Sequence, residues 1–228
     1  MISVIIPTYN EAGYIVNLVN YIKQHAGASP IEIIVSDGGS LDETAAIAAN
    51  AGAIILHSPQ KGRAAQMNFG ASKASGDIFY FVHADCIPPT SFIADIKNAA
   101  ANNFDAGRYR TKFMSNSFLL QLNAYFTRFH LFHCYGGDQT LFINRQLFEK
   151  LHGFDETKLI MEDYDITERA IKKGRYKIME KSVLVSARKY ENNSWMRVQK
   201  ANYKAVQMYK KGAPSSLIAK EYNTSLKV

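Results

Sequence analysis

The chain has 228 residues, 47% hydrophobic and 21% charged. That composition belongs to a globular chain long enough to bury a core, and it excludes disordered, collagen-like and low-complexity proteins. The net charge of +7 is uneven: 13 basic and 2 acidic residues lie between Arg169 and Lys211, so the rest of the chain is acidic on balance. A basic C-terminal third fits either an anionic partner or a solvated cationic face.

In chain order, the β-branched run Ser3 to Ile6 predicts a strand. Ile15, Leu18, Val19 and Ile22 then recur at helical spacing within Glu11 to Gln24. A second strand is expected over Ile31 to Val35, and Ser40 to Glu43 has the form of a capping box opening a helix to Asn50. Ala53 to Leu56 and Asp77 to Val82 read as strands, and Arg63 to Lys73 and Ser91 to Ala101 as helices. Strands alternating with helices predict a mostly parallel sheet in an α/β fold.

The second half is less regular. Strands are expected over Ala106 to Phe113, Thr140 to Asn144, Tyr176 to Met179 and Val183 to Ser186. Helices are expected over Phe118 to Phe132, Arg145 to Leu151, Ile160 to Lys172, Asn193 to Lys211 and Pro214 to Tyr222. Cys86 and Cys134 are too few for a disulfide scaffold and predict reduced thiols in a cytoplasmic protein. The opening apolar run stops at Pro7, too early for a signal peptide, and no stretch approaches a membrane span. At most, a peripheral contact with the inner face of the membrane is expected.

In an open α/β sheet, ligands sit beyond the carboxyl ends of the strands. The residues there are Pro7-Thr8-Tyr9-Asn10-Glu11, then Ser36-Asp37-Gly38-Gly39-Ser40, then His83-Ala84-Asp85. Asp37 would suit a nicotinamide-binding fold. The first strand, however, lacks the G-x-G-x-x-G turn that such a fold needs for the pyrophosphate, and no Walker pattern is present. His130, His133 and Cys134 have no fourth ligand at zinc-site spacing.

Together with Lys61-Gly62-Arg63-Ala64-Ala65-Gln66-Met67-Asn68, Gly136-Gly137-Asp138-Gln139, Gly153-Phe154 and Glu162-Asp163, these segments resemble a family 2 glycosyltransferase of GT-A fold, among its small bacterial members. The resemblance runs from residue 2 to about residue 190 and rests on these motifs in order. It implies a nucleotide-sugar-binding half over 1–100, an acceptor and catalytic half over 101–190, and a helical extension over 191–228 of a single domain. It further implies an inverting transfer from a UDP- or GDP-sugar to an acceptor of unknown identity.

By that resemblance Pro7, Thr8, Tyr9, Glu11, Asp37, Arg63, Asn68, His83, Ala84, Asp85 and Arg188 would bind the nucleotide-sugar. Gly137, Asp138, Gln139 and Glu162 would lie on the acceptor side, and Asp163 would be the catalytic base. Asp85 would hold Mg²⁺ or Mn²⁺, hard cations that suit a carboxylate and phosphate oxygens. His83 stands where the family's commoner pattern has a first acid, which makes the metal site less negative. That departure keeps a second reading open, a nucleotide-sugar-binding module without turnover. The basic C-terminal third supports a third, a membrane-surface protein. No nucleic-acid motif accompanies the charge, so no nucleic-acid partner is expected. The C-terminal helices are candidates for pairing subunits.

Overall fold

The computed structural model describes residues 1–136 and 139–227. One sheet organises the described chain. Its strands are β1 (Ile2–Thr8), β2 (Ile31–Asp37), β3 (Ile54–His57), β4 (Ile78–Phe81), β5 (Cys86–Ile87), β6 (Ala106–Phe113), β7 (Leu141–Asn144) and β8 (Tyr176–Val185). They lie in the order β3-β2-β1-β4-β7-β6-β8-β5. β1 pairs in parallel with β2 and β4, β2 with β3, and β6 with β8, whereas β7 runs antiparallel to both β4 and β6. The mostly parallel mixed sheet expected from the alternation is therefore present.

The helices are α1 (Ala12–Ala26), α2 (Thr44–Asn50), α3 (Arg63–Lys73), α4 (Phe92–Ala101), α5 (Phe118–Phe126), α6 (Arg145–Lys150), α7 (Glu162–Lys173), α8 (Trp195–Lys210) and α9 (Ser215–Ser225). Because β1 is buried along its whole length, its side chains feed two cores. Val4 and Ile6 pack with Ile15, Leu18 and Ile22 of α1 and Ile96 of α4. On the other face Ile5 packs with Met67 of α3, Phe148 of α6 and Ile166 of α7. Gly70 lets α3 approach this closely: a Cβ there would stand 2.6 Å from Ile5 Cγ2. A third cluster joins α8 and α9 to Met161 and Tyr164.

Three local expectations are corrected, and one strand is added. The capping box does not form. Ser40 Oγ accepts from Asn10 N at 2.9 Å and donates to Asp37, and Asp42 instead accepts from Thr44 N at 3.0 Å, so the helix starts at Thr44. The aromatic helix ends at Phe126, short of Phe132. There the Thr127 hydroxyl closes the last turn on Ala124 O at 2.7 Å and accepts from Thr111 N of β6 at 2.9 Å. The two short strands expected after Tyr176 are one, because pairing with β6 continues across a register shift at Tyr109/Arg110. β5 lacked any sequence signal, being two residues paired with Val185 and Leu184.

Arg108, on β6 and 1% exposed, pins the chain after α5. Its guanidinium donates to Thr127 O at 2.8 Å and Phe129 O at 3.1 Å, and burial pushes its pKa below the ordinary guanidinium value. Arg108→Met would leave the buried Thr127 carbonyl without its donor. It is expected to lower stability in urea unfolding by about 1–3 kcal/mol. An unchanged urea midpoint would show that this carbonyl finds another partner.

Candidate functional site

Parallel pairing brings the carboxyl ends of β1, β2 and β4 to one edge. The register sets Pro7 beside Ser36 and Thr8 beside Asp37. Gln66 of α3 is buried, and its Nε2 donates to Thr8 O at 2.6 Å and Ser36 O at 2.9 Å, stapling the two strand ends. A Cβ on Gly38 would meet that amide at 2.9 Å.

Asp37 is 2% exposed and organises the turn that follows it. Its oxygens accept from Gly39 N at 3.0 Å, Ser40 N at 2.9 Å, the Ser40 hydroxyl and the Thr8 hydroxyl at 3.2 Å. Gly39, at φ +86°, supplies the backbone conformation that the turn requires. Four donors match the roughly four lone-pair sites of a carboxylate. Asp37 thus shapes the edge as much as it lines it. Tyr9 beside it is exposed, with Lys61 Nζ 5.9 Å from its ring centroid.

A second group gathers around Arg188, which follows β8. Its Nη1 and Nη2 donate to the two oxygens of Glu11 at 2.9 and 2.7 Å, and its Nε stands 3.1 Å from Asp85 Oδ2. The guanidinium also lies 5.0 Å from the Tyr14 ring centroid. Glu11 and Asp85 hold its pKa above the ordinary guanidinium value. Asp85 is buried in the turn between β4 and β5, Ala84 packs into the core, and His83 is partly exposed.

The third group sits at the start of α7, where three acidic residues take three different directions. Glu162 is 1% exposed, with Oε1 2.7 Å from Arg63 Nη2. This is a close charge contact without the alignment of a hydrogen bond, and neither Glu162 oxygen has an aligned donor among the described residues. Asp165 accepts from Arg169 Nε at 2.8 Å, while Arg169 holds the carbonyls of Leu151 and Gly153 at 2.7 and 2.9 Å. Asp163 lines a cavity of about 390 Å³ together with Arg63, Gln139, Tyr164, Lys189 and His133. Met161, just before them, has φ +72°, a left-handed conformation that is uncommon for a residue with a Cβ. Such strain persists only where the surroundings fix it, and here it aims the first turn of α7.

Two placements differ from a direct ligand role. The Asn68 amide is committed to the loop before α7: its Nδ2 donates to Phe154 O at 2.9 Å and Glu156 Oε1 at 2.8 Å, and its Oδ1 accepts from Phe154 N at 2.9 Å. Gln139 donates to Cys134 O at 2.6 Å while facing the cavity. Gly137 and Asp138 lie outside the described residues. The stapling role of Gln66 and the stacking of Tyr14 under Arg188 were missed by sequence reasoning. Only an exposed aromatic one helical turn beyond Glu11 hinted at the latter.

A mostly parallel α/β sheet with polar strand ends, an acid beyond β4 and an acidic helix start facing a cavity is an open α/β fold with its candidate site at the carboxyl ends of the strands. The model of glycosyl transferase family 2 matches residues 3–160, and the chain belongs to that family.

Glycosyltransferase AglE of Haloferax volcanii is 37% identical over 94 residues, covering 38% of this chain and 31% of that protein. Glucosyl-3-phosphoglycerate synthase of Mycolicibacterium smegmatis is 34% identical over 96 residues, covering 39% of this chain and 32% of that one. The matched stretch spans less than a third of either relative.

Among solved structures, the mannosyltransferase PcManGT of Pyrobaculum calidifontis, in complex with GDP-Man and Mn²⁺, superposes with a TM-score of 0.69 at 21% identity. That match covers 92% of this chain and 63% of that one. Glucosyl-3-phosphoglycerate synthase of Mycobacterium tuberculosis, in complex with Mn²⁺, UDP and glucosyl-3-phosphoglycerate, gives 0.65 at 17% identity, covering 94% and 81%. These likenesses establish the GT-A fold.

Proposed function

We propose that this chain transfers a sugar from a UDP- or GDP-sugar to an acceptor hydroxyl, with inversion at the anomeric carbon. The observation that carries the reading is the division of labour at the start of α7. Glu162 faces Arg63 and Asp165 faces Arg169, while Asp163 lines the cavity. One carboxylate on a cavity wall, held by a strained helix start, is what a positioned base requires.

In this reading the nucleotide lies along the carboxyl ends of β1, β2 and β4. The base meets the turn built on Asp37, between Tyr9 and Gly39. The diphosphate meets Arg188, whose planar fork matches phosphate oxygens. Pro7 and Thr8 form the floor, and Glu11 orients Arg188. Asp163 takes the proton from the acceptor hydroxyl as its oxygen attacks the anomeric carbon, and the bond to the diphosphate breaks on the opposite face. Arg63, paired with Glu162, stands between donor edge and cavity and places positive charge near the leaving group. Asn68 acts by fixing the Phe154 loop.

Among the described residues no cluster of three His, Cys, Asp or Glu side chains could hold a metal ion by itself. The donor set is the one hard carboxylate of Asp85, whose Oδ2 now faces Arg188. It fits Mg²⁺ or Mn²⁺ only where phosphate oxygens complete the shell. When bound, such a cation would stabilise negative charge on the departing diphosphate. In this reading His83 orients a ribose or phosphate oxygen.

The test is thermal unfolding with UDP, GDP and CDP, with and without Mn²⁺. One nucleoside diphosphate at 100 times its Kd is expected to stabilise the fold by about 2.7 kcal/mol, a rise in Tm of roughly 5–10 °C. No shift with any nucleotide, in a protein that melts cooperatively, would overturn the donor site. A shift without sugar transfer or donor hydrolysis would favour a binding module.

A further inference from the structure

The feature that this reading does not use is the outer face of α5. Phe118, Leu119, Leu122, Tyr125 and Phe126 recur at helical spacing on that face and all are exposed, Phe118 at 76%. Phe129 and Leu131 extend the exposed stripe, and Tyr125 contacts both Phe126 and Phe129 at 5.8 Å between ring centroids. The opposite face, with Leu120 and Ala124, already packs inward. A surface helix of a soluble domain turns one apolar face in and a polar face out. Scattered exposed apolar side chains need no explanation, but a contiguous stripe marks an interaction surface.

The charge around the stripe says what kind of surface it meets. No Asp or Glu occurs between Asp105 and Asp138. Exposed Lys112 and Arg128 flank the stripe, and the Arg128 guanidinium lies 3.8 Å from the Tyr125 ring centroid. The cavity separates this face from α8, which carries Arg197, Lys200, Lys204 and Lys210 and no acid of its own, Lys204 being paired with Glu221 of α9. On α8, Met196, Lys200 and Tyr203 are exposed at i, i+4 and i+7, and Tyr203 stacks on His133. Phe126 belongs both to the stripe and to the cavity wall, so the apolar surface runs without a break into the chamber that holds Asp163.

We propose that the α5 face, with the cations of α8, rests on an anionic lipid bilayer. Its aromatic and aliphatic side chains enter the headgroup boundary, and the cavity mouth opens at the membrane surface. Aromatics and leucines bordered by Lys and Arg are the composition of an interfacial helix, and anionic headgroups supply the negative charge that this region lacks. A second copy is the poorer occupant. Two-fold pairing would bring the same net cationic patch against itself, with like charges facing. Among the described residues no helix is long and apolar enough to cross a membrane, so the contact is one of lying on the surface.

The test is co-sedimentation with vesicles of phosphatidylcholine, with and without phosphatidylglycerol, at low and high salt. Binding is expected to the anionic vesicles, to weaken steeply with salt, and to be about tenfold or more weaker on neutral vesicles. The double variant Phe118→Ser/Leu122→Ser is expected to lose about tenfold or more of that binding. Neither residue lines the cavity, so its melting temperature and nucleotide-induced stabilisation should match the parent protein. Absence of binding to anionic vesicles overturns the proposal. So does full retention by the double variant, which would leave only a diffuse basic attraction. A dimer in solution that the same double variant dissociates would assign the face to a second copy and also overturns it. Nucleotide binding is measured separately, so failure of the donor site and failure of the membrane contact are distinguishable.

Discussion

Asp163→Asn is expected to reduce the transfer rate by about 10²- to 10⁴-fold, the contribution of a positioned general base. Donor binding should be unchanged, because the amide keeps the shape of the side chain and Asp163 lies on the cavity wall and not on the β1–β2–β4 edge. Single-turnover rates, read beside the nucleotide-induced rise in Tm, separate the two. The neighbouring acids provide the contrast. Asp165→Asn breaks the pair with Arg169, which holds the 151–153 turn, and should appear first as lost stability. Glu162→Gln leaves Arg63 beside a neutral amide and should disturb the position of Arg63 on the cavity wall. An Asp163→Asn protein that transfers at the parent rate removes Asp163 from the mechanism.

The second large effect is expected at Arg188. Its charge-assisted hydrogen bonds to a diphosphate would contribute on the order of 1.5–3 kcal/mol, so Arg188→Ala should weaken nucleoside diphosphate binding by roughly 10- to 100-fold. It should also change how binding responds to a cation. Arg188 Nε stands 3.1 Å from Asp85 Oδ2, on the carboxylate that would hold a divalent ion in the proposed reading. Without the guanidinium, Glu11 and Asp85 lose their counter-charge, and like-charge repulsion makes the site a stronger cation binder. The residual affinity of Arg188→Ala should therefore depend more steeply on Mn²⁺ than that of the parent. Arg188→Lys keeps the charge but not the two-pronged geometry and should fall between. Calorimetric titrations in Mn²⁺ and in a chelator give both quantities. Unchanged affinity in both media would refute a role for Arg188 in donor binding.

Much of the first half of the chain was legible because its signals are local. β1 and β2 are β-branched runs buried on both faces, and α3 begins and ends where its pattern does. Where the sequence misled, a tertiary partner had overridden a local preference. Ser40 was expected to cap its own helix, yet Asp37 and Asn10 reach it from two other strand ends. Glu180 and Lys181 read as a break between two strands, yet they fall in a register shift inside one strand, which pairs with β6 up to Met179 and again from Ser182. The aromatic stretch after Phe118 reads as one long apolar helix. Instead, the buried Arg108 of β6 takes the carbonyls of Thr127 and Phe129, and the helix stops short of both.

By itself the sequence determined most of the strands and helices, though not β5 or the continuity of β8, and the residue types at each strand end. Those follow from hydrophobic periodicity and turn chemistry, which act over a few residues. The ion pairs of the candidate site came only from the tertiary structure. Glu11 and Arg188 are 177 residues apart, and they meet because the end of β8 pairs with β5 and bonds the Asp85 turn that follows β4, the neighbour of β1. The separate directions of Glu162, Asp163 and Asp165 are likewise invisible in an acidic run. A helix turns about 100° per residue, so which of the three faces the cavity depends on where the sheet docks α7.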